Sequence, residues 1–268
     1  MSSSESPSKA VTYSRYLKTD ELLSLQEPLS DGPEHDEMLF IIIHQVYELW
    51  FKQVLHEMSR LQEVLEANDT PGALATFKRI LTILKTLVAQ VDVLETMTPV
   101  AFNSFRARLE SASGFQSAQF REVEFMLGYK NRDMARHHPA DSTGGRRLQE
   151  LLHQPTLNDS LLRFLVANDY EVPRSLLDRD VSQPIQSSPE LQETLLRIYR
   201  DDPMCTMVCE RFVDLDEGLQ EWRYRHVKMV ERTIGAKTGT GGSEGTEYLK
   251  KTLFHPLFTD LWEIRSEF

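Results

Sequence analysis

Cysteine is nearly absent from this chain: there are two in 268 residues, Cys205 and Cys209. Two cysteines cannot form the disulfide framework of a small secreted domain, and their spacing fits neither a zinc site nor a stitched-on cofactor. Long apolar runs are missing as well. The longest, Met38 to Ile43, is six residues, against about 20 for a membrane-spanning helix. Positive charge is scarce, with 30 Lys and Arg against 41 Asp and Glu, a formal net charge of -11. That balance argues against nucleic acid and anionic membrane surfaces, both of which are bound by cationic patches. The first residues, MSSSESPSKAVTYSRYLKTD, lack the apolar core of a secretion signal. With so little cysteine, a reducing, cytoplasmic setting is expected. No stretch alternates apolar and polar residues as a strand would, and no internal repeat is found.

Helical spacing is abundant. From Met38 onward, Leu39, Ile43, Val46, Tyr47, Trp50, Val54, Met58, Leu61 and Leu65 recur every three or four residues, the stripe of a long amphipathic helix. Asn68-Asp69-Thr70-Pro71 stops it and starts another, with Thr70 as N-cap and Pro71 in the first helical position. Leu74, Phe77, Leu81, Leu84, Val88 and Val91 share one face of that second helix. Thr98-Pro99 repeats the start signal for a short helix over Ala101 to Leu109, and Ser111–Gly114 is a turn before helical sequence that stops at Gly128. Residues 137–145 and 170–189 read as connections. A last long helix runs from about Met207 to Ile234, ends at Gly235, and is followed by a Gly-rich loop over Lys237–Gly245. The expectation is an all-α helical bundle: a disordered, Ser-rich lead-in over residues 1–10, then one domain over 11–268.

Chemistry enters through a few residues. Among eight histidines, His44 lies in the most apolar stretch of the first long helix, and His226 lies on the last, on the side of Leu219, Trp222 and Val230. A helix-borne histidine in an apolar bundle can ligate iron through one ring nitrogen, although a core or surface role is the commoner fate of such residues. Glu150-Leu-Leu-His153 is the single Glu-x-x-His motif, where a di-iron bundle needs two. His35-Asp36-Glu37 could begin a two-His-one-carboxylate triad, but reads as a loop ahead of a helix. Arg106, four residues after Phe102, could clamp a carboxylate with its two-pronged guanidinium, or simply pair with a surface acid such as Glu110. The loop Gly239-Thr240-Gly241-Gly242-Ser243 allows close backbone approach to a small ligand, but lacks the Gly-Lys-Ser/Thr ending of a P-loop.

Several stretches together resemble the tryptophan 2,3-dioxygenase family. YSRYLKTDELLSLQEPLS (Tyr13–Ser30), HDEMLFIIIHQVYELWFKQ (His35–Gln53), LETMTPVAFNSFR (Leu94–Arg106), SASGFQSAQFREVEFMLGYKN (Ser111–Asn131) and WRYRHVKMVERTIGAKTGTGG (Trp222–Gly242) fall in the family's order. They cover most of the chain outside residues 132–206.

The resemblance implies an all-helical homotetramer with one non-covalently held haem b in each subunit. It implies insertion of both atoms of O₂ across the indole C2–C3 bond of L-tryptophan, giving N-formylkynurenine in tryptophan catabolism or a secondary-metabolite branch. His226 resembles the proximal iron ligand. His44 resembles the distal histidine that accepts a hydrogen bond from the substrate's indole N–H. Arg106 looks like the clamp on the amino-acid carboxylate, Thr240 like the loop residue closing over the amino-acid end, and Phe40 and Phe102 like aromatic pocket walls. Ser113 matches a small residue lining the haem pocket. Tyr13 and Tyr16 match an N-terminal segment that reaches into a neighbouring subunit's site. Phe102 stands where some bacterial members carry tyrosine, Val46-Tyr47 is nearer the animal version, and Glu244 stands where a small serine is usual. The same ligands would serve a monooxygenase or an enzyme for a substituted tryptophan. A haem-based sensor is a further alternative, one with no need of an amino-acid clamp.

Overall fold

The computed structural model describes residues 10–32, 34–235, 237, 249–250 and 252–268. Thr240 and Glu244, with most of the Gly-rich loop, lie outside the described residues, as do nine of the ten residues of the expected lead-in. Two short helices come first, α1 (Tyr13–Leu17) and α2 (Thr19–Leu22), hinged at Lys18 in the left-handed region (φ 52°). Then follow α3 (His35–Glu66), α4 (Thr70–Leu94), α5 (Pro99–Phe105), a 3₁₀ turn (Arg106–Leu109), a second 3₁₀ turn (Gly114–Gln116) and α6 (Ala118–Met126). The chain continues through α7 (Arg132–Arg136), α8 (Thr143–Leu152), α9 (Leu157–Ala167), α10 (Arg174–Leu177), α11 (Pro189–Asp201) and α12 (Pro203–Ile234). Last come α13 (Thr259–Glu263) and a 3₁₀ turn (Ile264–Glu267). The described residues form helices and turns without a strand, in agreement with the expected all-α class.

The long helices α3, α4 and α12 form the frame. α3 contains neither glycine nor proline, so nothing interrupts its ladder of hydrogen bonds. The turn to α4 is made by Asn68 in the left-handed region (φ 55°). The cap is one residue earlier than expected: Asp69, not Thr70, accepts from the Gly72 N–H (3.0 Å), with Pro71 still in the first turn. α12 begins at Pro203 rather than Met207 because Asp202 caps the N–H groups of Met204 and Cys205 at 2.9 and 3.0 Å. It ends at Gly235, whose φ of 61° and ψ of -135° suit only glycine. The short helix after Thr98 starts at Pro99, capped by the Thr98 hydroxyl, and its last turn tightens into the 3₁₀ turn from Arg106. Within 170–189, read as connection, α10 adds one turn of helix, and α8 begins inside the expected 137–145 connection.

α3 and α12 both pack along α4, α9 covers the far half of α3, and α6 bridges α3 to α8. The main core holds Met58, Leu61, Leu65, Phe77, Ile80, Phe212 and Phe258, each essentially sealed from solvent. A second, smaller cluster of Ile43, Leu94, Met97, Phe102 and Phe105 sits at one end of the frame, and Tyr47 packs against both.

The C-terminal residues are tied to α12 by Asp216, which is fully buried. Its Oδ2 accepts from the N–H of Leu257 (2.7 Å), the N–H of Phe258 (3.3 Å) and the indole N–H of Trp262 (3.0 Å). Asp216→Ala would strand these donors in the interior. We expect a loss of about 3–5 kcal/mol and a thermal midpoint lower by roughly 10 °C. Asp216→Asn, which retains one acceptor, should lose less than half as much. Equal melting of the alanine variant and wild type by calorimetry would show that the tie carries no stability.

Candidate functional site

The N-terminal half of α3, the C-terminal half of α12, α5 with its 3₁₀ turn, and α6 enclose a cavity of about 250 Å³ between the two apolar clusters. Its wall includes Phe40, His44, Phe102, Arg106, Ser113 and His226. The structure therefore brings together six of the residues singled out from sequence, drawn from segments more than 180 residues apart.

His44 is held by its own helix. Its Nδ1 lies 2.7 Å from the carbonyl oxygen of Phe40. A carbonyl can only accept, so Nδ1 carries the hydrogen and the lone pair of the neutral ring is on Nε2. Burial lowers the His44 pKa below its ordinary 6.5, against the opposing pull of the Phe40 carbonyl and Glu48. The Phe40 ring lies 4.1 Å from the imidazole, centroid to centroid, and 5.8 and 5.5 Å from the rings of Phe102 and Phe105. One wall is thus a small aromatic stack ending in an imidazole acceptor.

His226 projects from α12, one turn beyond Trp222. The two rings are parallel within 4°, with centroids 5.2 Å apart. Burial above all, and then the electrostatic influence of His44 and Arg121, push the His226 pKa down to about 4. The ring is therefore neutral at pH 7 and can offer a lone pair to a metal without first losing a proton. Among the described residues no hydrogen bond engages it, and no group of three His, Cys, Asp or Glu side chains gathers to hold a metal ion. An iron at His226 would take its other donors from a cofactor. Cys205 and Cys209 are buried in the first turns of α12, and the cavity wall contains neither. A flat, largely apolar group held by one histidine, as a porphyrin is, fits this wall.

Arg106 is half-buried at the cavity, where α5 passes into the 3₁₀ turn. Its N–H still donates to the Phe102 carbonyl in the α pattern, and both side chains line the cavity, as their four-residue spacing led us to expect. Ser113 and Gly114 also line the cavity. Tyr13 and Tyr16 are not brought to the cavity of their own chain: they are 76% and 75% exposed on α1. The competing metal readings dissolve. His35-Asp36-Glu37 is the first turn of α3 rather than a loop, and the buried Glu37 accepts from the N–H groups of Leu29 (2.7 Å) and Ser30 (3.2 Å). His153 is exposed at the end of α8, and Glu150 pairs with Arg147.

Sequence reasoning missed Trp222, Tyr47, Arg121, Glu124 and Arg223, which also line the cavity. Tyr47 donates its hydroxyl to the Leu87 carbonyl (2.7 Å), and burial pushes its pKa up to about 12, so it bridges α3 to α4 as a neutral phenol. The three charged residues lay beyond periodicity: Arg121 and Glu124 are on α6, where Arg121 to Met126 are all buried, and Arg223 is buried on α12.

The family profile for tryptophan 2,3-dioxygenase matches residues 2–268. The chain belongs to the tryptophan 2,3-dioxygenase family. Tryptophan 2,3-dioxygenase of Herpetosiphon aurantiacus is 58% identical over 260 residues, covering 97% of this chain and 99% of that relative. The enzyme of that name from Anaeromyxobacter dehalogenans is also 58% identical, over 97% of each chain. A more distant dioxygenase of the family, from Bacillus thuringiensis subsp. konkukian, is 39% identical over 96% of this chain and 92% of the relative. The likeness therefore runs through residues 132–206 as well, where no motif of the dioxygenase family was legible in the sequence alone.

Proposed function

We propose that the protein is a haem-dependent tryptophan 2,3-dioxygenase that forms N-formylkynurenine from L-tryptophan and O₂. The observation that supports this reading best is the pair of neutral imidazoles, His44 and His226, in the wall of one cavity that also presents Arg106. Haem b bound at His226 would supply the ferrous iron at which O₂ is activated. The chain's own part is to hold and orient. His226 gives the iron its protein ligand. Nε2 of His44 accepts the substrate's indole N–H, with Phe40 and Phe102 beside it as the aromatic wall. Arg106 clamps the carboxylate, and the apolar lining excludes water around the reacting ring. Ser113 lines the haem side; Thr240, expected at the amino-acid end, lies outside the described residues.

We further infer a homotetramer in which the N-terminal segment reaches a neighbouring subunit's site. In support, Tyr13, Tyr16, Leu23, Leu25 and Leu29 are each at least 60% exposed, large apolar side chains within one short segment that a neighbouring subunit would cover. The protein is assigned to the cytoplasm. Among the described residues no helix is long and apolar enough to cross a membrane, and both cysteines are free thiols.

The test is isotopic. Reduced enzyme turned over with tryptophan under ¹⁸O₂ should give N-formylkynurenine carrying two labelled atoms. A single labelled atom would make the protein a monooxygenase, and an absence of tryptophan-dependent O₂ consumption would make it a sensor.

A pH dependence follows from His44. Because burial lowers its pKa, the accepting lone pair survives down to pH 6.5 and is lost on further acidification. The value of kcat/KM should hold steady above 6.5 and fall below it. His44→Gln, which offers an amide oxygen that does not titrate in this range, should be slower at neutral pH and lack that acid limb. An unchanged limb in the variant would assign it to another group.

A further inference from the structure

Three charged side chains form the part of the cavity wall between α6 and α12. Arg121 Nη1 donates to Glu124 Oε2 (2.5 Å), and Arg223 Nη2 donates to the other oxygen of the same carboxylate (2.8 Å). Arg121, Glu124 and Arg223 retain only 5%, 2% and 4% of their exposure. Two guanidiniums and one carboxylate leave an excess positive charge in a mainly apolar wall, a costly arrangement unless an anion completes it.

The two arginines are not equivalent. Arg223 is committed to the protein: beyond Glu124 it donates to the Thr252 carbonyl (3.3 Å) and lies over the Tyr129 ring (5.5 Å). Arg121 lies over the rings of Phe115 (5.3 Å) and Phe120 (5.4 Å), contacts that restrict its movement. Among the described residues Glu124 is its one hydrogen-bond acceptor. A guanidinium has five N–H groups, and none of the unused Arg121 nitrogens is sealed away from the cavity that the residue lines. Phe120, one of its two ring neighbours, packs on Trp222 (4.8 Å), which stacks on His226 (5.2 Å), so Arg121 is on the ligand side of the cavity.

We propose that Arg121 receives a carboxylate of the group held at His226, a haem propionate, and that Glu124 and Arg223 hold its guanidinium in the receiving position. The assignment rests on the haem reading. One propionate brings the cluster to neutrality and meets a guanidinium already buried and bonded to Glu124, so little rotamer freedom is lost on binding. A second source of the same chemistry is the carboxylate of tryptophan. The position of Arg121 near His226 rather than His44 favours the cofactor.

The experiment loads the full chain with haem or with haem dimethyl ester, whose propionates are uncharged, and follows the Soret band as excess apomyoglobin scavenges the porphyrin. No substrate is present. Wild type is expected to lose the ester about tenfold faster than haem, the effect of one charge-assisted pair. Arg121→Gln should lose both at rates within about twofold of each other. That variant leaves the neutral Glu124–Arg223 pair intact. Arg121→Lys keeps the charge without the fork and should give an intermediate ratio, a second reading that stands if the glutamine variant does not fold. Equal loss of both porphyrins from wild type, or a wild-type ratio in either variant, overturns the assignment. If tryptophan is the true partner, the ratio stays while KM rises, which also overturns it. Uptake of neither porphyrin by wild type would instead remove the haem reading, and this assignment with it.

Discussion

His226→Ala is expected to purify without haem, with the Soret band reduced at least tenfold and dioxygenase activity lost. The cavity offers one neutral imidazole on the α12 side, and among the described residues no group of three His, Cys, Asp or Glu gathers to hold a metal ion in its place. Apolar contacts from residues such as Phe115, Phe120 and Val227 would remain in the variant and give the porphyrin some residual affinity. Ligation is what converts that affinity into retention through purification. His44 stands on α3 beside Phe40, in the wall assigned to the substrate, where its Nε2 lone pair is proposed to accept the indole N–H rather than to hold the iron. The truncation also removes the ring stacked on Trp222. A melting curve is therefore needed beside the spectrum, and we expect a shift of only a few degrees for the haem-free proteins, since His226 borders open space rather than the sealed core. His226→Gly with added imidazole should recover haem binding in part, as a free ring occupies the vacated volume. A purified alanine variant with full haem content and an unaltered Soret band would remove His226 from the ligand role.

The frame was legible because its signals are local. The three-and-four spacing of α3, the Asn68-Asp69 turn and the Gly235 stop each follow from neighbours in sequence. Boundaries moved where a cap was misjudged. Asp69 outcompeted Thr70, and Asp202 started α12 four residues before the periodicity became visible. The site was legible in a different way. Helix spacing shows only that His44 and His226 can turn toward an interior, and their meeting in one cavity depends on how α3 and α12 both lie against α4. Resemblance to the family supplied that long-range information for the histidines and for Arg106. It did not supply the Arg121–Glu124–Arg223 cluster, whose members are separated by up to 102 positions (223 minus 121) and look in sequence like surface charges. Only burial shows that they are part of the wall. Tyr13 and Tyr16 show the converse limit: both are exposed on α1, and neither lines the cavity of the chain.

Arg106→Ala should lower kcat/KM for tryptophan by about 10²–10³, chiefly through KM, while tryptamine turnover changes by less than about threefold. The distinction comes from what the clamp touches. A bidentate guanidinium–carboxylate pair in a largely apolar cavity contributes more than a neutral hydrogen bond, because the alternative for the carboxylate is incomplete solvation. Tryptamine has the indole and the amine but no carboxylate, so it already lacks that interaction in wild type and has little to lose. Arg106 is placed where such discrimination can be built. It starts the 3₁₀ turn directly after Phe105, which is sealed in the second apolar cluster, so the backbone carrying the guanidinium is anchored while the side chain borders the cavity. Arg108, two residues on, serves a different end and pairs with Asp31 outside the cavity (3.3 Å). Arg106→Lys keeps the charge but not the two-pronged geometry, and should fall between wild type and alanine. Equal losses for tryptophan and tryptamine would mean that Arg106 shapes the pocket as a whole instead of gripping the carboxylate. The clamp would then have to be sought among the other cations of the wall.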